Sequence, residues 1–101
     1  MKIAIIGSGG REHAITLLIS KSKKTQKIYC IPGNAGTSEV AENISIDFNN
    51  FKKIKEFLNE KSIDLVIVGP EEPLVNGIVD YLEKFNFKVF GPSKLASQLE
   101  G

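Results

Sequence analysis

The sequence predicts an α/β fold, a parallel sheet of four or five strands with helices on both faces. Two observations carry this expectation. Four short, continuously apolar runs each end at a glycine or a proline, the mark of strands buried on both faces. Between them the apolar residues recur at helical spacing, so strands and helices alternate, and alternation of this kind builds a parallel sheet with crossover helices.

The elements follow in order. "KIAII" (2–6) is the first strand and stops at Gly7. Ala14, Leu17 and Leu18 form the apolar stripe of the helix after it, and "KSKK" (21–24) is the solvated end of that helix. "KIYCI" (27–31) is the second strand, closed by "PGN". The segment 32–48 admits two readings, a short extra strand at "ISI" (44–46) or a loop. Phe51, Ile54, Phe57 and Leu58 define a middle helix, for which Asn49 and Asn50 are the candidate caps. "DLVIV" (64–68) is the third of the four runs and ends in "GP". Leu74, Ile78, Leu82 and Phe85 mark the helix that follows, with Pro73 at its first position behind Glu71 and Glu72, whose charge suits a helix N-terminus. "KVF" (88–90) ends in the same dipeptide, and Ser93 is placed to cap a last helix, "KLASQLE".

Composition narrows the function. The 101 residues fit one domain, and 42% apolar with 25% charged residues is ordinary for a globular core and argues against a disordered chain. A formal charge of +1 gives no broad footprint for a nucleic acid or an anionic membrane, so neither is an expected partner. The single cysteine, Cys30, has no intrachain disulfide partner, and the first strand begins at residue 2 without a basic and apolar leader, so the expected location is cytoplasmic.

In a parallel sheet ligands bind outside the carboxyl ends of the strands, where the glycine-rich and proline-rich turns gather. Gly7-Ser8-Gly9-Gly10 lies between a strand and a helix and offers backbone N–H groups to an anionic or hydroxyl-bearing ligand. The plain reading is a tight turn that lets the helix pack closely. A dinucleotide fingerprint requires G-x-G-x-x-G, and its third glycine position here is Glu12; the second strand ends in Pro32-Gly33-Asn34 rather than an acidic residue. A P-loop pattern is absent. Arg11 and Glu12 fall in the first helical turn at the ligand edge, Arg11 either solvated or paired with Glu12 or Glu71. His13, the only histidine, has no ligating neighbour at metal-site spacing and no nucleophile to serve, so it packs on the sheet or faces water.

In "PGNAGT" (32–37) Asn34 is placed near the first loop, and in "VGPEEPL" (68–74) two carboxylates stand at the end of an apolar strand. Glu71 is the candidate for a sugar's hydroxyls, with Glu72 left to the helix end.

Four motifs in order, "GSGGREHA", "PGNAGT", "VGPEEPLV.GIVD" and "FGPSK.A.QLEG", resemble the glycinamide ribonucleotide synthetase (phosphoribosylamine–glycine ligase) family over essentially the whole chain. The resemblance implies a Rossmann-like, pre-ATP-grasp amino-terminal domain spanning 1–101 that helps to hold phosphoribosylamine. It implies a parent enzyme of the ATP-grasp class that joins glycine to phosphoribosylamine with ATP and magnesium or manganese, through an acyl phosphate, in purine biosynthesis. By the same resemblance the substrate-binding residues are Gly9, Gly10 and Arg11, then Gly33 and Asn34, then Gly69, Pro70 and Glu71, with no catalytic or metal-binding residue in this chain. The partners it implies are phosphoribosylamine and the downstream ATP-grasp domains of the same enzyme. The chain alone is expected to bind no ATP or metal and to lack ligase activity. The competing reading is a stand-alone Rossmann-like module for a nucleotide or a sugar phosphate.

Overall fold

The structure, a computed structural model, describes residues 1–69 and 75–91. Five strands, β1 (Lys2–Gly7), β2 (Lys27–Pro32), β3 (Glu42–Asn43), β4 (Leu65–Val68) and β5 (Val89–Phe90), form one sheet in the order β3-β2-β1-β4-β5. Every pairing is parallel, with Ile5 opposite Cys30 on one side and Ile67 on the other. Among the described residues the helices are α1 (Gly10–Ser20), α2 (Phe51–Glu60) and α3 (Val75–Lys84), with one 3-10 turn at Thr37–Glu39.

The continuous apolar runs have a direct cause. Successive side chains of a strand point to opposite faces, and here each face meets a separate core. Ile3 and Ile5 of β1 pack on the α1 side, with Ile19, while Ala4 and Ile6 pack on the side of α2 and α3, with Ile54 and Leu58. All seven of these residues are at most 1% exposed. Full burial of one such aliphatic side chain contributes about 1.5–3 kcal/mol. Tyr29 meets Phe57 of α2 edge to face, with ring centroids 5.1 Å apart.

Most of the expected elements stand where the sequence places them. Asn50 is the cap of α2, its side-chain oxygen accepting the Lys53 N–H at 3.2 Å. Three expectations need correction. The extra strand is Glu42–Asn43, two residues ahead of "ISI"; Ile44 and Ile46 instead turn into the α2/α3 core from irregular backbone. The apolar stripe of α1 is also different. Ala14 is exposed, Leu17 is 38% exposed and Leu18 63%, whereas Glu12, Thr16 and Ile19 are fully buried. The helix is turned by its first residues: Glu12 points into the sheet's carboxyl end, and positions 16 and 19 follow it on the same face. Among the described residues Phe85 is the other large exposed apolar side chain, at 44% rather than in the core. The residues named above as Leu74, Pro73, Glu72 and the last helix from Ser93 lie outside the described residues.

Thr16 shows how α1 tolerates a polar contact face. Its hydroxyl donates to the Glu12 carbonyl at 2.6 Å and lies 3.5 Å from the Cys30 Sγ, so the thiol is left as donor to the hydroxyl oxygen. Burial pushes the Cys30 thiol above its ordinary value of 9.0, the Thr16 and Thr37 hydrogen bonds pull it back, and the Glu12 charge adds to the rise.

The re-read face of α1 is open to measurement. Ile19→Ala is expected to lower unfolding free energy by about 2–5 kcal/mol, and Leu18→Ala to change it by less than about 0.5 kcal/mol, both by urea titration. The thiol supplies a pH test. A raised folded-state value means that the folded protein keeps its proton while the unfolded thiol releases it, so stability is intact below the ordinary thiol value and declines as pH rises from there. Urea titrations of wild type and Cys30→Ala should diverge as pH rises past that ordinary value of 9.0, the wild type falling more steeply.

Candidate functional site

The chain runs outward from β1 to β2 and β3, returns through α2, and continues on the other side of β1 with β4 and β5. The strand order therefore reverses between β1 and β4. In open α/β sheets that reversal opens a crevice at the carboxyl ends of the two strands, and ligands bind there. The two strand ends are Gly7 and Gly69.

Both glycines are explained by Glu12. This carboxylate is completely buried, and a Cβ built on either Gly7 or Gly69 would collide with its Oε1. Its Oε2 accepts the Gly9 N–H at 3.1 Å, half of a capping box whose N-cap, Gly9, has no side chain to complete it. A buried carboxylate needs compensation, and Glu12 has the positive end of α1 together with this hydrogen bond. The residue at which the dinucleotide pattern breaks is thus the one that fills the crevice floor. Sequence reasoning placed Glu12 at the ligand edge beside Arg11 but gave it no buried role; the signal that identifies that role is Gly9 three residues ahead, at capping-box spacing, with glycines closing two strands.

The other turns converge on the same rim. The Gly33 N–H donates to the Gly7 carbonyl at 3.1 Å, and the Gly69 N–H to the Ile6 carbonyl at 3.2 Å. Gly33 adopts φ +77°, a conformation that side chains rarely take, and a Cβ there would also meet Asn43 and Thr37. The Asn34 side chain donates to the carbonyls of Ser8 (2.8 Å) and Gly9 (3.1 Å). Gly10 opens α1 with open space where a Cβ would stand, and helix geometry gives its N–H no acceptor inside the helix. Arg11 is exposed in the same turn. His13 is half-buried, its ring against the Gly36 backbone, where an added Cβ would lie 2.6 Å from the ring.

Of the residues singled out from the sequence, Gly9, Gly10, Arg11, Gly33, Asn34 and Gly69 therefore stand along one edge. Pro70 and Glu71 lie outside the described residues. Among the described residues no group of three His, Cys, Asp or Glu side chains is placed to hold a metal ion, and no helix is long and apolar enough to cross a membrane.

Fold and rim together define a Rossmann-like α/β domain with an acidic side chain buried where its strand order reverses. Its family is shown by comparison with known proteins: the profile described as "Phosphoribosylglycinamide synthetase, N domain" matches residues 1–100, and the chain belongs to that family. It is 52% identical over 101 residues to the phosphoribosylamine–glycine ligase of Caldanaerobacter subterraneus subsp. tengcongensis, covering 100% of this chain and 24% of the relative. It is 45% identical, with the same coverage of both, to the ligase of that name from Clostridium acetobutylicum. The crystal structure of phosphoribosylamine–glycine ligase from Thermotoga maritima superimposes with a TM-score of 0.52 at 29% identity, over 73% of this chain and 17% of that one. The chain thus spans about a quarter of the length of the curated relatives it matches.

The packing of Glu12 yields a coupling to measure. Gly69→Ala is expected to destabilise the fold by about 1–3 kcal/mol, as overpacking does. In a Glu12→Ala background the same substitution should cost much less, so a double-mutant cycle by urea titration should return a coupling of about 0.5–3 kcal/mol.

Proposed function

We propose that this chain is the amino-terminal substrate-binding domain of a phosphoribosylamine–glycine ligase, the enzyme that joins glycine to 5-phosphoribosylamine in cytoplasmic purine biosynthesis. The observation that carries the reading is the convergence of the turns after β1, β2 and β4 on one rim, in a chain that belongs to the family's N domain. Relatives bearing the ligase name over four times this length supply the rest of the setting.

The rim suits a phosphorylated pentose bearing an amine. Gly9 and Gly10 keep side chains out of the way of an approaching ligand, Gly10 directs an N–H beyond the end of α1, and Arg11 adds a positive charge beside it. Gly33 and Asn34 form the adjoining wall. Gly69 leads into Pro70 and Glu71, whose carboxylate is assigned to the ribose hydroxyls. The role of the domain is to fix the sugar so that its amine faces the glycine carboxylate, an orientation effect on the reaction rather than a chemical step. Activation of that carboxylate is the chemistry that ATP and a divalent metal would supply when bound to the full-length ligase. The described residues hold no donor set for the metal, so nucleotide and metal are assigned to the ATP-grasp segments of the full-length ligase and no step through them is assigned to this chain.

The test is a titration of the ¹⁵N-labelled chain. Glycinamide ribonucleotide, the stable product, should shift the amide resonances of Gly10, Gly33 and Gly69, and NAD should leave them in place. Glu71→Gln should weaken ribotide binding by about 1.5–3 kcal/mol, the worth of a hydrogen bond to a charged group. Shifts confined to other parts of the sheet, or a response to NAD and none to the ribotide, would overturn the reading.

A further inference from the structure

Asn34 stands in the rim, yet the hydrogens of its side chain are turned toward the protein. Both amide hydrogens are committed, one to the Ser8 carbonyl at 2.8 Å and one to the Gly9 carbonyl at 3.1 Å, and its Oδ1 accepts the Thr37 N–H at 2.9 Å. The residue is itself held from behind. Its own N–H donates to Thr37 Oγ1 at 2.8 Å, its carbonyl accepts from Asn43 Nδ2 at 2.7 Å, and Thr37 Oγ1 in turn donates to Asn43 Oδ1 at 2.7 Å. Thr37 is fully buried and Asn34 and Asn43 are half-buried, so the knot is partly screened from water.

The loop that Asn34 grips is otherwise tied by two contacts of its own helix, the Gly9 N–H to Glu12 Oε2 at 3.1 Å and the His13 N–H to the Gly9 carbonyl at a long 3.3 Å. Ser8 is exposed and Gly9 is a glycine, whose peptide planes rotate at low cost. A trans peptide is planar, and its C=O and N–H point in opposite directions. Holding the Ser8 carbonyl therefore aims the Gly9 N–H away from Asn34, and that N–H meets Glu12 Oε2. Holding the Gly9 carbonyl aims the Gly10 N–H away in the same manner, and Gly10 borders open space. The side chain of Asn34, with the His13 N–H on the same Gly9 carbonyl, thus holds the direction of the N–H that the loop turns toward the rim.

We infer that Asn34 is a positioning residue, which orients the Gly10 amide by gripping the two carbonyls before it rather than by touching the substrate. This rests on the reading of the rim as a ribotide site, and the experiment separates the two. In the ¹⁵N-labelled chain, Asn34→Asp keeps shape and the Oδ1 acceptor but replaces two donors by an oxygen facing two carbonyls; Asn34→Ala removes the group. Without ligand, both variants should shift the Gly9 and Gly10 resonances and alter hydrogen exchange at Gly10, with the amides of β1 and β4 unmoved. Affinity for glycinamide ribonucleotide should fall at least tenfold.

A fall in affinity with unmoved Gly9 and Gly10 resonances would make Asn34 a ligand contact and overturn the inference. Unchanged affinity in both variants, or loss of the fold in both, would overturn it as well. If the wild-type chain binds no ribotide, the proposed function fails for this chain, and the ligand-free resonances alone still decide whether Asn34 orients the loop.

Discussion

One buried carboxylate organises the ligand edge of this domain. Glu12 is fully enclosed at the point where the strand order reverses, and the two strand ends that flank it, Gly7 and Gly69, have no side chains because its oxygen fills the space they would need. The Gly9 N–H closes the arrangement from the helix side. A side chain at that depth fixes the rotation of α1, and this rotation sends Thr16 and Ile19 inward and Leu18 outward. Loop, helix face and strand termini thus follow from one residue, and the crevice that a dinucleotide would enter in related folds has an anion built into its floor.

The architecture was legible because strand burial writes itself into composition. Ile3 to Ile6 and Leu65 to Val68 lie between two cores, so both faces of each strand had to be apolar and the runs had no polar gaps. The middle helix was equally plain, since Ile54 and Leu58 face a core and Asn50 caps the start. The face of α1 was not legible. Its contact surface includes a glutamate and a threonine that hydropathy assigns to solvent, and their burial depends on partners distant in sequence, Gly69 and Cys30. The third position of the sheet's far side, Glu42–Asn43, was hidden for a similar reason: two polar residues carry no strand signal, and they pair only because β2 offers Tyr29 and Cys30 beside them.

At the site, the glycines were visible as a pattern and their purposes were not. Gly33 has a local cause, its positive φ, which a turn motif announces. Gly69 has a remote one, the Glu12 carboxylate. Asn34 looked from its sequence like a group free to meet a ligand, and the structure shows its amide hydrogens facing two backbone carbonyls. The motifs "GSGGREH" and "PGNAGT" are best understood as one interlocked unit, since Asn34 reaches Ser8 and Gly9 while the His13 ring rests on Gly36.

The two flanks of the sheet have a bearing on how such a chain behaves at high concentration. β3 and β5 are two residues each, and β3 carries Glu42 in an ion pair with Lys27 at 3.2 Å. An open flank of a sheet is a template for recruiting another chain, and its reach depends on the length of unpaired ladder it exposes. Two residues of ladder on each flank, with a charged one in β3, give an incoming strand little to zip onto. Among the described residues the isoleucine-rich interior strands are thereby set back from the edges at which a foreign strand would have to begin pairing.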